Sequence, residues 1–303
     1  MSVCYLSYDE LRRFLTCPAC KGPLSDSADG LRCETCDTDY PAVSGVPDFV
    51  GERTGSEPGF KERLAARTPF AYRAARLGAR VLFPVWNTRS ATNLRRLESE
   101  VFAENPEPVV LNAGSGDASG PGMSTLSDRF RARMINLDTT ALPAVNVRAD
   151  VSAIPVADGS IDLVLAKALL EHVPDPDAVI SEFARILRPD GRVYVEMPWL
   201  ESYHGYPADY RRWAAGEISR IFAGHGFVEE ETGVVAGPAS AAGLFFREFL
   251  GSFFDTPALK FLLKDIIGSV LVFPWRFLDI YLARKKSARV LAAVVYYIGV
   301  KNR

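Results

Sequence analysis

A chain of 303 residues, 48% of them hydrophobic, has enough apolar material for one large domain beside a small one, which excludes a disordered or fibrous protein. Its formal net charge of −2 excludes a protein that is basic throughout. The charge is uneven, though: residues 61–100 hold nine Lys and Arg against three Glu, and residues 256–303 hold nine against two Asp, two basic flanks suited to an anionic surface, membrane or nucleic acid.

The start Met1-Ser2-Val3-Cys4-Tyr5 has no basic region followed by an apolar core, so no secretory signal is expected and the expected placement is cytoplasmic. Residues 9–16 predict a short helix or strand. Cys17-Pro18-Ala19-Cys20 and Cys33-Glu34-Thr35-Cys36 then form two Cys-x-x-Cys knuckles twelve residues apart, a spacing that presents four thiolates to one tetrahedral Zn²⁺. Four thiolates leave no open position for water, so the ion is expected to be structural, and a segment with so little core draws its folding free energy from metal binding. Cys4 lies outside the pattern and is read as an ordinary thiol. The continuation Asp39-Tyr40-Pro41-Ala42-Val43-Ser44-Gly45-Val46-Pro47-Asp48-Phe49 resembles the zinc ribbons that activate tRNA and protein methyltransferases, and is similar to the amino-terminal ribbon of some ribosomal RNA guanine methyltransferases. That resemblance covers about residues 11–50 and speaks to fold, not to substrate.

Gly51 to Gly59 reads as a linker. Thr68-Pro69 starts a predicted helix with Phe70, Leu77 and Val81 on one side and Arg73, Arg76 and Arg80 spread over the other. Next comes Val109-Val110-Leu111-Asn112-Ala113-Gly114-Ser115-Gly116-Asp117-Ala118, a buried strand that runs into a turn whose two glycines let the backbone approach a nucleotide-like cofactor. Met134 to Asp138 is a second strand ending in a carboxylate about twenty residues beyond the glycines, where a dinucleotide-type fold places its ribose ligand. Val145 to Ala149 closes on Asp150, and Ile161 to Ala166 is a fourth strand after the turn at Ala157-Asp158-Gly159-Ser160. A helix follows over Asp177 to Leu187, with Ala178, Val179, Phe183 and Ile186 at helical spacing. Arg188-Pro189-Asp190-Gly191 ends that helix and Val193 to Met197 is the fifth strand.

The order Gly114-Ser115-Gly116, Leu137-Asp138, Ala149-Asp150, Ile154-Pro155, Ser160 to Val164, Leu170-Glu171-His172-Val173 and Ala184 to Gly191 resembles the class I S-adenosylmethionine-dependent methyltransferases over about residues 105–235. The resemblance implies an α/β, Rossmann-like fold: a seven-stranded, mostly parallel sheet with the cofactor across the carboxyl ends of its first strands. Asn112 stands where an acidic residue is usual and Ala118 where a third small glycine is usual. Under the resemblance Asn112, Gly114 and Gly116 border the methionine end, Asp138 binds the ribose and Asp150 with Val151 faces the adenine, with Ala113, Ser115, Thr139 and Lys167 completing the cofactor set.

After the fifth strand, Tyr203-His204-Gly205-Tyr206-Pro207-Ala208-Asp209-Tyr210-Arg211-Arg212-Trp213 looks like the His, Pro, Asp-Tyr, Arg loop of bacterial methyltransferases in glycan and secondary-metabolite pathways. For a hydroxyl acceptor the expected bases are His204, Asp209 and His172, in that order. A helix over Ile218 to His225 and a late strand from Gly226 to Pro238 follow.

Residues 239–303 are read as a hydrophobic, basic helical extension in which Leu244 to Phe254, Leu259 to Leu282 and Arg289 to Val300 are interspersed with Lys260, Lys264, Arg276, Arg284, Lys285 and Lys286. Its longest charge-free run, Ile266 to Trp275, is ten residues and too short to span a bilayer, which leaves peripheral contact at the inner membrane face, packing on the sheet, or a homodimer. The domain reading is a ribbon over 1–50, linker and helices over 51–104, a methyltransferase domain over 105–238 and the extension. The expected activity is S-adenosylmethionine-dependent methylation of a small-molecule, sugar or lipid-linked acceptor. The alternatives are an RNA methyltransferase and a non-catalytic module of the same fold. Against RNA bases, Glu196-Met197-Pro198-Trp199 stands where an Asn-Pro-Pro-Tyr type motif would.

Overall fold

The computed structural model describes residues 5–51, 85–205 and 208–303. The linker at 51–59 beyond Gly51, the helix begun by Thr68-Pro69, Cys4, Tyr206 and Pro207 lie outside the described residues.

The small unit is an antiparallel sheet of four strands in the order β1 (Leu24–Ser27), β2 (Gly30–Cys33), β3 (Asp39–Val43) and β4 (Val46–Pro47). One helical turn, Tyr8–Leu11, precedes it, closed by a capping box between Ser7 and Glu10. The large unit is a seven-stranded sheet built from β5 (Val110–Ala113), β6 (Met134–Asp138), β7 (Val147–Arg148), β8 (Ile161–Lys167), β9 (Leu187–Pro198), β10 (Phe227–Ala236) and β11 (Val294–Lys301). Its spatial order is β10-β11-β9-β8-β5-β6-β7, with β11 antiparallel to both neighbours and every other pairing parallel. The order reverses between β5 and β8, so the crevice at their carboxyl ends is where a ligand is expected.

Both faces of the sheet are covered, and side chains alternate accordingly. Leu111, Ile135, Val164 and Val195 belong to one apolar core with the helices Pro176–Ile186 and Ala215–Gly224; Val110, Met134, Leu163 and Leu165 belong to a second with the helix Ser90–Glu104. Asp175 caps the helix Pro176–Ile186, accepting from the Ala178 N–H, with Pro176 pre-setting its first turn.

The ribbon's apolar residues Leu11, Leu15, Leu31 and Tyr40 are part of the first core. Its ends pair with the loop after β7 and with β7 itself: Thr16 N–H donates to the Pro155 carbonyl at 3.1 Å, Ala157 to Phe14 at 2.9 Å, and Phe49 to Arg148 at 2.8 Å. Buried Asp48 pairs with Arg148 at 2.5 Å, and Lys21 with Glu182 at 3.0 Å. The small sheet thereby covers an edge that would otherwise offer free backbone groups.

Two sequence expectations are corrected. Residues 239–303 are not one helical extension, because Val294–Lys301 returns between β9 and β10; residues 239–293 are an insert between the last two strands of the sheet. The burial of Val295, Tyr297 and Ile298 explains the apolar pattern that suggested another helix. The fifth strand also starts earlier than expected. Ile161 is opposite Leu187 but Leu163 is opposite Arg192, so Arg188-Pro189-Asp190-Gly191 bulges from a strand instead of ending a helix, with Asp190 at φ 62°.

The insert begins with the helix Pro238–Gly251 and continues as short pieces from Pro257 to Leu282. The helix start is capped from far along the chain, since buried Asp279 accepts from the N–H groups of Gly237, Ala239 and Ser240 at 3.1, 3.0 and 2.8 Å. A β-carbon at Gly237 would meet Asp279 at 2.4 Å, so glycine is required there. Among the described residues no helix is long and apolar enough to cross a membrane.

Candidate functional site

At the carboxyl ends of β5, β8 and β9 a cavity of roughly 330 Å³ joins the turn after β5 to a wall of carboxyl groups. Asn112, Gly114, Ser115 and Ala118 form one side, Lys167 stands near the middle, and Glu171, Glu196 and Glu201 form the other. Val85, Asn87, Val235 and Val294 close the end next to the insert.

The turn is shaped by backbone demands. Gly114 (φ 64°) has Leu169 Cδ1 2.7 Å from where a β-carbon would be, so no side chain fits. Gly116 (φ 53°) has nothing within 4 Å of that position, which leaves an open cradle beside the turn. Ala118 adopts φ 51°, so the residue standing in for glycine keeps a left-handed backbone despite its side chain. Asn112 donates to Asn136 Oδ1 at 2.9 Å, and Asn136 N–H donates to Asn146 Oδ1 at 2.7 Å. These buried amides couple β5 to β6 and hold the neutral Asn112 at the cavity wall.

Asp138 lies at the end of β6 as expected, but its oxygens point to backbone: Oδ2 accepts from Gly116 N–H at 2.9 Å and Oδ1 from Thr140 N–H at 2.8 Å. The expected cofactor residues therefore divide. Asn112, Gly114, Ser115 and Lys167 line the cavity, whereas Ala113, Gly116, Asp138, Thr139, Asp150 and Val151 do not. Burial lowers the pKa of Lys167, with Glu196 at 3.6 Å opposing the shift, and its ammonium donates to the Pro121 carbonyl.

On the opposite wall Glu171 is fully buried and neither carboxyl oxygen has a hydrogen-bond partner. Burial pushes its pKa up to about 8. His172 Nε2 lies 3.9 Å and His204 Nε2 4.0 Å from Glu171 Oε1, with the two rings edge to face at 5.2 Å. Burial also raises Glu201. Glu196 is tied down, accepting from Tyr194 Oη at 2.6 Å and from Ser90.

The loop expected to hold the bases is partly a self-satisfied lid. Arg212 donates to Asp209, to the Glu201 carbonyl at 2.9 Å and to the Ser202 carbonyl at 2.9 Å, while His204 N–H donates to Asp209 Oδ2 at 2.8 Å. Arg212 holds the Asp209 carboxyl far below the usual range, so this residue, expected among the bases, is a weak one and serves to position the loop. Tyr203 and Tyr210 are exposed and Trp213 is buried. Sequence reasoning gave no site role to Glu171, Glu196 or Glu201. A carboxylate inside or just after an apolar strand at the sheet's carboxyl edge was the signal available.

The four knuckle cysteines are brought together, their sulfurs all within 4.8 Å of one another. Cys17 and Cys36 are 3.6 Å apart and Cys20 and Cys33 3.4 Å, near the roughly 3.8 Å edge of a tetrahedron with about 2.3 Å metal–sulfur bonds. The knuckles match: each is followed by a left-handed residue, Lys21 (φ 59°) and Asp37 (φ 63°). Burial opposes ionisation of Cys17, but the Tyr40 hydroxyl at 3.1 Å and nearby backbone N–H groups bring its pKa down to about 6. The donor set fits Zn²⁺.

Residues 112–195 match the family model described as "Methyltransferase domain". Among curated proteins the chain is 29% identical over 152 residues to an uncharacterised 37.1 kDa protein in a transposon of Streptomyces fradiae, covering 46% of this chain and 42% of that one. It is 30% identical over 149 residues to a Mycolicibacterium smegmatis protein named "Probable S-adenosylmethionine-dependent methyltransferase", covering 44% and 57%. The chain thus spans about half the length of these relatives. One similar solved structure is the Burkholderia thailandensis 1,6-didemethyltoxoflavin-N1-methyltransferase with bound 1,6-didemethyltoxoflavin and S-adenosylhomocysteine, at 16% identity, 83% and 93% coverage and a TM-score of 0.42.

Proposed function

We propose that this chain, whose residues 112–195 match a methyltransferase family model, is an S-adenosylmethionine-dependent methyltransferase acting on a hydroxylated, lipid-linked acceptor at a membrane surface. The observation that carries the reading is the cavity that joins the glycine turn, through Gly114, Ser115 and Ala118, to the carboxyl groups of Glu171, Glu196 and Glu201 after β8 and in and after β9. The open cradle at Gly116 and the acceptor groups of Asn112 and Asp138 fit a cofactor with amino-acid and ribose ends. Bound there, S-adenosylmethionine supplies an electrophilic methyl group on a sulfonium that leaves as a neutral thioether. The chain's own task is then to hold the acceptor in line and to receive its proton. Glu171 on the cavity wall, with His172 and His204 beside it, takes that part, while Asp209 and Arg212 keep His204 in place.

The insert supports the choice of acceptor. Eighteen of the twenty-two exposed large hydrophobic residues among the described residues fall between Phe245 and Leu291, and Arg284, Lys285, Lys286 and Arg289 are exposed on the same segment. Exposed aromatic and aliphatic side chains with interspersed cations suit insertion into the interface of an anionic bilayer. The four cysteines are read as one structural Zn²⁺ site that completes the ribbon.

The test is transfer of a labelled methyl group from S-adenosylmethionine to extracts separated into lipid, water-soluble and RNA fractions. Label in the lipid fraction is expected. Label in RNA would favour the RNA reading, and no cofactor binding by calorimetry would leave a non-catalytic module.

A further inference from the structure

We propose that Glu171, His172 and His204 form a divalent-metal site at the acceptor end of the cavity, with open coordination positions for an acceptor oxygen. The proposal takes its acceptor from the methyltransferase reading; the metal site itself stands on its own geometry.

Three ligand atoms, one from each residue, lie within 4.8 Å of one another, and hydrogen bonds on the far sides of the two imidazoles fix what these present. His172 Nδ1 faces the Ala208 carbonyl, which can only accept, so the ring proton sits on Nδ1 and Nε2 carries a lone pair toward Glu171. His204 Nδ1 is 3.2 Å from the Ser202 carbonyl and 3.6 Å from Asp209 Oδ2, again acceptors. Arg212 Nη2 also approaches His204 Nδ1 at 3.4 Å, but its two hydrogens go to Ser202 O at 2.9 Å and Asp209 Oδ2 at 2.6 Å. His204 Nε2 thus also turns a lone pair toward the carboxyl, 4.0 Å from Oε1.

Glu171 completes the set with no exposure and no hydrogen-bond partner for either oxygen, a condition native folds rarely leave unresolved. Two lone pairs and a carboxyl converge, and none hydrogen-bonds to another. A cation satisfies all three at once. Imidazoles whose Nδ1–H is held by a backbone carbonyl are the usual arrangement around a metal, where that outer bond fixes ring and tautomer.

The donors also select the ion. Two imidazoles and a carboxylate suit Zn²⁺, Co²⁺, Fe²⁺ or Mn²⁺ better than Mg²⁺ or Ca²⁺, which favour oxygen-only sets. With bonds of about 2.1 Å, tetrahedral donors stand roughly 3.4 Å apart, so the separations of 3.9 and 4.0 Å must close by about half an ångström. The His204 side chain, 37% exposed on its loop, can supply the second of these movements, and the Glu171 carboxyl, with no hydrogen bond to hold it, the first. Glu171 belongs to the cavity wall, and a divalent ion held beside it would ease loss of the proton from an acceptor oxygen that took an open position.

The test titrates Co²⁺ into full-length chain already loaded with Zn²⁺ at its cysteines, followed by calorimetry and visible absorption. One further equivalent is expected, with ligand-field bands and no thiolate charge transfer. Glu171→Gln and His204→Ala should each weaken it by roughly tenfold or more. Binding unchanged in both variants, no Co²⁺ bound beyond the Zn²⁺-loaded state, or thiolate bands alone would overturn the site. His204→Ala, on a surface loop, keeps the test usable if Glu171→Gln does not fold. S-adenosylmethionine binding is measured separately without Co²⁺: its absence beside intact Co²⁺ binding would overturn the methyltransferase reading alone, and the reverse would overturn the metal site alone.

Discussion

The two flanks of the seven-stranded sheet carry appendages built on opposite terms. Beside β7, residues 5–51 expose one large hydrophobic side chain, Val43, and join the core and the sheet edge through Leu15, Tyr40, Phe49 and the Asp48–Arg148 pair. Between β10 and β11, the insert exposes eighteen such side chains and is held from inside by Asp279 and by Trp86 against Phe277. An appendage that hides its apolar groups completes a fold, whereas one that displays them is shaped for something outside it. The same division runs through the cavity, whose glycine turn belongs to the ribbon-side strands and whose carboxyl wall belongs to the insert side.

The largest effect that would sharpen this contrast is on the ribbon. Cys33→Ser should abolish stable Zn²⁺ binding, worth on the order of 10 kcal/mol for a structural site, and unfold the ribbon while the large sheet survives. Metal analysis and proteolysis of residues 11–50 read this out. A variant that keeps its metal and its protease resistance would mean that the ribbon is held by its docking and not by the ion.

The seam between the halves predicts a pH effect. Glu171 has its carboxyl raised from an ordinary value near 4.5 to about 8 by burial, so the folded state prefers it protonated. That contribution is complete below about 4.5 and is lost as pH rises to about 8, with a limiting slope of about 1.4 kcal/mol per pH unit. Denaturant unfolding without added divalent metal should show the loss, and Glu171→Gln should flatten it. An equal slope in the variant would place the titration elsewhere.

On the insert side, Phe249→Ser with Phe253→Ser removes two of the most exposed aromatic side chains, at 58% and 63% exposure. Each buries enough in an interface for about 1.5–3 kcal/mol, so co-sedimentation with anionic vesicles should fall by about 3–6 kcal/mol in apparent affinity with little change in thermal stability. A large drop in stability with unchanged vesicle binding would invert the comparison and make the insert a core element.

Much of this was legible in the chain. Met134–Asp138 matches its strand because an apolar run ending in a carboxylate is a local pattern, and the knuckles announced the cysteine cluster through spacing alone. The return of Val294–Lys301 was not legible, since an apolar run with flanking cations reads the same as a helix or as a strand buried between neighbours. Nor were the partners of Glu171: His172 is adjacent in sequence, but His204 reaches it only because the loop after β9 folds back, donating Tyr210 N–H to the Glu171 carbonyl at 2.8 Å. Long-range polar convergence leaves no periodic trace.

The smallest expected effect tests whether the ribbon-side strands carry the cofactor without the acceptor. Asp138 holds the turn through Gly116 N–H and Thr140 N–H, so it has a structural duty even before any ligand is considered. Asp138→Asn keeps an acceptor for one of those N–H groups but gives up the charge, and Asp138→Ala gives up both. If the carboxylate binds ribose hydroxyls, Asp138→Ala should weaken S-adenosylmethionine by about 1.5–3 kcal/mol, the usual worth of hydrogen bonds to a charged group. Asp138→Asn should fall between it and the native chain. Calorimetry separates this from a purely structural role, because a turn that merely loosened would lower thermal stability in both variants in step with affinity. Unchanged affinity in Asp138→Ala would remove the residue from the site and with it the division of the cavity into a cofactor half and an acceptor half.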